Sequence, residues 1–257
     1  MAQGAQREFL PTQVWLAAAN LGTIVPVQTA PPRPPPSIPD HELLRCIGRG
    51  SYGEVWLARN IMGACRAVKI VYRATFDSDR PYEREFKGLQ KFEPVSRTHE
   101  SQVAVLHVGR NDRDGYFFHV MELADAQCSG QQIDPGRYAS RTLSCELKAG
   151  GRLPPEQCLR IGLALTTALD HLHQHGLIHR DIKPSNIIYV NGRPKLADIG
   201  LVAATDATCS FVGTEGYLPP EGPGTPQADL YSLGKVLYEA STGKDRRDFP
   251  ELPSQLD

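Results

Sequence analysis

The sequence predicts an α+β chain of two lobes, a small β-rich first lobe with one helix and a mostly helical second lobe. Five short strand-like segments lie between residues 43 and 122, interrupted by a single helical pattern. Two long helical patterns follow, one opening at Pro154 and one near Gln227. Between them Asn191-Gly192 separates two short apolar runs, a strong hairpin signal.

Residues 1–39 stand apart as a proline-rich extension. Pro31-Pro32-Arg33-Pro34-Pro35-Pro36 should be extended polyproline, a stiff spacer or a ligand for an aromatic groove. The folded domain is expected over 40–257, with the first lobe at about 40–122 and the second at about 125–257. Leu43 to Gly50, Glu54 to Arg59 and Cys65 to Val71 read as successive antiparallel strands separated by turn residues. Tyr82, Phe86, Leu89 and Phe92 recur at helical spacing over 81–92. Val103 to Val108 and Tyr116 to Glu122 are two more strands. Asp125 to Gly151 is polar and glycine-rich, a long connection with a short helix near Leu143 to Leu147. Pro154-Pro155-Glu156 opens a helix with Leu159, Ile161, Leu163, Leu165, Ala168, Leu169 and Leu172, stopped at Gly176. Strands Ile187 to Val190 and Pro194 to Ala197 flank the Asn191-Gly192 turn. The last helix runs from about Gln227 to Ser241 and ends near Gly243.

Composition narrows the function classes. The hydrophobic content of 40% and charged content of 22% are ordinary for a soluble globular domain. A net charge of −1 gives no bulk drive toward nucleic acid or anionic membrane. No apolar run reaches the roughly 18 residues of a transmembrane helix. Residues 14–27 are mildly apolar, but Glu8 lies in their flank and a cleavage site is lacking, which argues against a leader. The six cysteines are scattered without a Cys-x-x-Cys pair, which argues against a zinc ribbon or redox dithiol. His171, His173 and His175 alternate, which spreads them around a helix instead of along one face.

The residues that carry chemistry centre on His179-Arg180-Asp181-Ile182-Lys183-Pro184-Ser185-Asn186. A carboxylate, an ammonium and a carboxamide within six positions suit a loop that deprotonates a hydroxyl, steadies a phosphate and ligates a metal. Upstream, Gly48, Gly50 and Gly53, followed by Val55, fit Gly-x-Gly-x-x-Gly-x-Val. Such glycines let backbone N–H groups approach phosphate, although a plain glycine hairpin has the same spelling. Lys69 lies between apolar residues on a strand and suits a bridge to nucleotide phosphates, or else a solvated strand face. Glu83 and Glu85 are its two potential carboxylate partners. Asp198-Ile199-Gly200 follows a strand, where a carboxylate can hold Mg²⁺ on phosphates.

In this fixed order the residues resemble the eukaryotic-like, bacterial-style serine/threonine protein kinase family over about residues 43–245. The resemblance implies a bilobal kinase-like fold and an enzyme that moves the γ-phosphoryl of ATP, with Mg²⁺, onto protein serine or threonine. Lys69, Glu85, Asp181 and Lys183 would be catalytic, and Asn186 and Asp198 would ligate the metal. Glu85 is preferred to Glu83 because its surroundings fit the family's helix. The glycine loop, Val55, Ala67 and Lys69 would hold the nucleotide, with Met121 as gatekeeper and Glu122 to Ala124 as the hinge. Asp229 would brace the catalytic loop. Arg180 would pair with a phosphorylated residue, Ser210 first and Thr208 second. Protein substrates, no nucleic acid and a cytoplasmic location follow. The triplet Asp-Ile-Gly stands for Asp-Phe-Gly, and Pro-Pro-Glu for Ala-Pro-Glu. The family's later helices are not found, so the second lobe is expected to be truncated, a fragment or a trimmed kinase. A non-catalytic nucleotide- or partner-binding module is the rival expectation.

Overall fold

Alternating apolar residues build the first lobe, and the register of its strands aims the chemistry. The computed structural model describes residues 35–50, 53–198, 203–204 (backbone only) and 213–252. The chain divides into Met1–Pro36 and Ser37–Asp257, and every element lies in the second unit. All but the last two residues of the proline run lie outside the described residues, as do Thr208 and Ser210.

Strands β1 (His41–Gly50), β2 (Gly53–Asn60), β3 (Cys65–Tyr72), β4 (Val105–Asn111) and β5 (Tyr116–Met121) form one sheet in the order β1-β2-β3-β5-β4. Neighbours are antiparallel. Lys69 stands opposite Val55 on one side and His119 on the other. The expected Val103 start of the fourth strand is displaced. Val103 spends its N–H on Leu196, and sheet pairing begins at Val105.

Helix α1 (Asp79–Ser96) is longer at both ends than the sequence pattern, and tolerates Pro94 in its last turn. Its buried Tyr82, Leu89 and Phe92 pack with Val71, Val105 and Phe117 of the sheet. Burying side chains of this size contributes about 1.5–3 kcal/mol each.

The second lobe is built on two packed helices. Helix α2 (Leu143–Gly150) is short, and the Thr142 hydroxyl accepts from the Cys145 N–H at its start. Helix α3 (Pro155–Gln174) buries Ile161, Leu165, Ala168, Leu169 and Leu172. Leu159 and Leu163 belong to the same apolar pattern yet are exposed. At about 100° per residue they fall opposite Ile161 and Leu165, so the buried stripe is narrower than the composition suggests. Two-residue strands β6 (Leu177–Ile178) and β9 (Ala203–Ala204) pair with each other.

The hairpin of β7 (Ile187–Val190) and β8 (Arg193–Leu196) turns through Asn191 and Gly192, both at positive φ, 53° and 74°. Helix α4 (Pro226–Thr242) starts with Thr225 as its cap and ends at Gly243, φ 71°. Leu165, Leu169, Leu233, Val236 and Ala240 join Ile182, Ile187 and Leu196 in the core beneath the loop of residues 179–186. No helix among the described residues is long and apolar enough to cross a membrane.

Candidate active site

Every site residue expected from the sequence lines one cleft of about 600 Å³ between sheet and helices. Gly48, Gly50, Gly53, Val55 and Ala67 form its roof. Met121, Glu122 and Ala124 form the edge where the chain crosses between lobes. Asp181, Lys183, Asn186 and Asp198 form the floor, and Glu85 enters from α1.

The three glycines serve different needs. A Cβ on Gly53 would lie 1.9 Å from the Ile70 carbonyl oxygen, so β3 itself excludes a side chain there. At Gly50 a Cβ would meet nothing within 4 Å. Packing therefore demands the third glycine, while the middle one leaves open space over the floor.

Lys69 reaches across the cleft to the Asp198 carboxylate. Burial works to lower the Lys69 pKa, but Asp198 and then Glu85 outweigh it and hold the ammonium charged. The same pairing holds Asp198 down at about 2. Asp198 sits at φ 60°, a left-handed conformation at the end of the hairpin. Glu85 has its pKa pushed up to about 7 by burial, with Lys69 opposing. Glu83 takes no part: it accepts two hydrogen bonds from Arg110, at 2.8 and 2.6 Å. This leaves Glu85 as the α1 carboxylate that faces Lys69.

The floor is a closed hydrogen-bond network. Asp181, 7% exposed, accepts from the Thr214 hydroxyl at 2.6 Å and from Asn186 Nδ2 at 2.9 Å. Lys183 Nζ lies 2.7 Å from Asp181 Oδ2 and donates to Thr214 at 2.9 Å. Beneath it Asp229, 1% exposed, accepts from the backbone N–H groups of His179 and Arg180, both at 2.8 Å. Its Oδ2 also lies 2.8 Å from His173 Nε2. His179 Nε2 lies 3.0 Å from the Ala197 carbonyl oxygen and its Nδ1 lies 3.4 Å from the Asp181 N–H nitrogen, which fixes the orientation of the ring. The loop is thus tied both to α4 and to the strand that carries Asp198.

The donor set fits Mg²⁺. Asn186 turns its amide nitrogen to Asp181, so its side-chain carbonyl oxygen remains a hard donor, and Asp198 lines the same cleft. The sequence did not single out His119, Tyr138, Lys195 or the contact made by Thr214. His119 is buried at the back of the cleft, both ring nitrogens lacking a hydrogen-bond partner. Lys195 donates to Glu122 at 2.6 Å and anchors the hinge side chain to β8. The adjacency of Thr214 to Gly213 is the available sequence signal for that hydroxyl.

A family model described as "Protein kinase domain" matches residues 41–248. The chain belongs to the protein kinase family. It is 30% identical over 214 residues to the serine/threonine-protein kinase PrkC of Bacillus subtilis, covering 79% of this chain and 30% of that protein. It is 32% identical over 218 residues to the serine/threonine-protein kinase PknA of Mycobacterium tuberculosis, covering 79% of this chain and 47% of that one. The DNA damage-responsive serine/threonine-protein kinase RqkA of Deinococcus radiodurans is 31% identical over 216 residues, covering 79% and 30% respectively. The chain thus spans from under a third to about half the length of these relatives. Protein kinases in general use ATP and Mg²⁺.

Proposed function

We propose that the domain over residues 40–257 transfers the γ-phosphoryl group of ATP to serine or threonine hydroxyls of protein substrates. The observation that carries this reading is the Asp181 carboxylate, held by Thr214, Asn186 and Lys183 and facing the Lys69–Asp198 pair across one cleft. The names of the relatives support the serine/threonine class.

Phosphoryl transfer asks for positioning and charge stabilisation more than for covalent chemistry. Asp181 would orient the incoming hydroxyl and take its proton. Lys183, next to Asp181, would stabilise charge on the moving phosphoryl. Lys69 would hold the nucleotide phosphates, with Glu85 as its counter-charge once the phosphates engage Asp198 through the metal. Asn186 and Asp198 would hold Mg²⁺, which supplies neutralisation of phosphate charge when bound. The Glu122 to Ala124 backbone would receive the adenine edge. A cytoplasmic location, where ATP is supplied, fits this reading, with residues 1–39 as a proline-rich extension preceding the domain.

The test is transfer of γ-labelled phosphate to a generic protein substrate by the whole chain. Asp181→Asn should slow it by about 10²–10⁴-fold. A variant as fast as wild type would refute the assignment. Wild-type binding of nucleotide without any transfer would favour a non-catalytic module.

A further inference from the structure

Residues 125–142 join the hinge to α2, and they fold back onto the hinge instead of leaving it. Ala126 and Gly130 exchange backbone hydrogen bonds at 2.6 and 3.0 Å, which closes a tight turn. The Gln127 N–H then donates to the Ala139 carbonyl, and the Arg141 N–H to the Asp125 carbonyl. This return places Tyr138 against the hinge.

Tyr138 is 4% exposed and lines the nucleotide cleft beside Ala124 and Ser140. Its hydroxyl donates to the Ala124 carbonyl at 3.0 Å and lies 3.1 Å from the Ser140 hydroxyl. Its own carbonyl accepts from the Arg45 guanidinium on β1. The Tyr138 side chain packs with Leu57 and Ala126, with Leu44, Ile47 and Leu123 around them. Leu57 is two residues from Val55 on β2, so both face the same side of the sheet, the roof of the cleft. Tyr138 therefore touches the roof and the hinge at once.

We propose that Tyr138 is a specificity-determining residue of the nucleotide cleft, selecting bases that donate no hydrogen bond to the Ala124 carbonyl. The inference rests on the reading of this cleft as a nucleotide site. The physical basis is the asymmetry of hydrogen bonding. A base with an extra amino donor directed at that carbonyl must compete with the buried Tyr138 hydroxyl for an oxygen it already engages, whereas a base without that donor leaves the pair undisturbed. Among purines, this favours adenine over its 2-amino derivatives.

The test uses the full chain and two magnesium nucleotides, ATP and the triphosphate of 2,6-diaminopurine riboside. Their dissociation constants are measured by calorimetry for wild type and Tyr138→Phe. Phenylalanine keeps the ring against Leu57 and removes only the donor, so the Ala124 carbonyl becomes free to accept. Wild type should prefer ATP. In Tyr138→Phe the ratio should shift toward the diaminopurine nucleotide by roughly 3- to 10-fold, the worth of one hydrogen bond. A purely structural role for Tyr138 would weaken both nucleotides alike. An unchanged ratio, with both still bound, overturns the inference and leaves the nucleotide site standing. Failure of wild type to bind either nucleotide overturns both.

Discussion

Replacing Thr214 by valine removes one hydroxyl and nearly conserves volume. In the structure that hydroxyl donates to Asp181 Oδ1 at 2.6 Å and accepts from Lys183 at 2.9 Å. Both partners are charged, and hydrogen bonds to charged groups are worth about 1.5–3 kcal/mol. Asp181 Oδ2 would keep Asn186 at 2.9 Å and Lys183 at 2.7 Å, so the carboxylate stays in place but loses one of its fixed orientations. If the bond persists into the transition state, kcat should fall by roughly 10- to 100-fold. Thr214→Ser restores the donor and should recover most of that loss. The assay is steady-state phosphate transfer with varied ATP for wild type and both variants. A valine variant within twofold of wild-type kcat would refute the reasoning, and so would a serine variant as slow as valine.

Lys195→Met strands the Glu122 carboxylate, which still accepts from the Ala104 N–H at 2.9 Å. The expected cost is about 1–2 kcal/mol, seen as a Tm lower by roughly 2–8 °C, and Glu122→Gln in the same chain should recover much of it. Gly53→Ala forces a Cβ against the Ile70 carbonyl and should destabilise by about 1–3 kcal/mol in urea unfolding. Gly50→Ala should keep wild-type stability and weaken ATP binding; equal stability losses would contradict the distinction between the two glycines. Burial, and then Lys69, push the His119 pKa down to about 3, so the folded chain leaves this ring neutral where the unfolded chain protonates it below about 6.5. The unfolded state then binds more protons, so stability is full above 6.5 and falls as pH drops toward 3. Between pH 7 and 5 wild type should lose about 2 kcal/mol more than His119→Met; equal losses in urea titrations would show the ring is not the cause.

Much of this architecture is readable because local signals are strong where the core is deep. Pro155 and Pro226 open α3 and α4, and Gly243 closes α4 at positive φ. Asn191-Gly192 supplies the left-handed pair a tight hairpin needs. Asp198 is readable because it follows a strand, and Asp181 to Asn186 because they crowd polar groups into a short run. What escaped notice was decided by distant contacts. Strands β6 and β9 have two residues each, too few for alternation to show. Leu159 and Leu163 look buried by type, yet the helix turns them outward. Glu83 and Glu85 are two positions apart; the preference for Glu85 rests on the resemblance in the sequence, and its physical ground, Arg110 on β4 taking Glu83, lies in a distant contact. Tyr138 lies in a polar, aperiodic stretch, and nothing local reveals that the segment doubles back to the hinge.

Asp229 sits 50 and 49 residues downstream of the two backbone groups it braces, His179 and Arg180. During synthesis the loop therefore emerges well before the side chain that holds it. At about 5–20 residues per second the delay is some 3–10 s. Through that interval Arg180 has no carboxylate to favour its left-handed turn, φ 70°. The backbone at His179 and Arg180 is consequently braced only after α4 has emerged and docked, so the proposed phosphotransfer would report that the second lobe has been assembled.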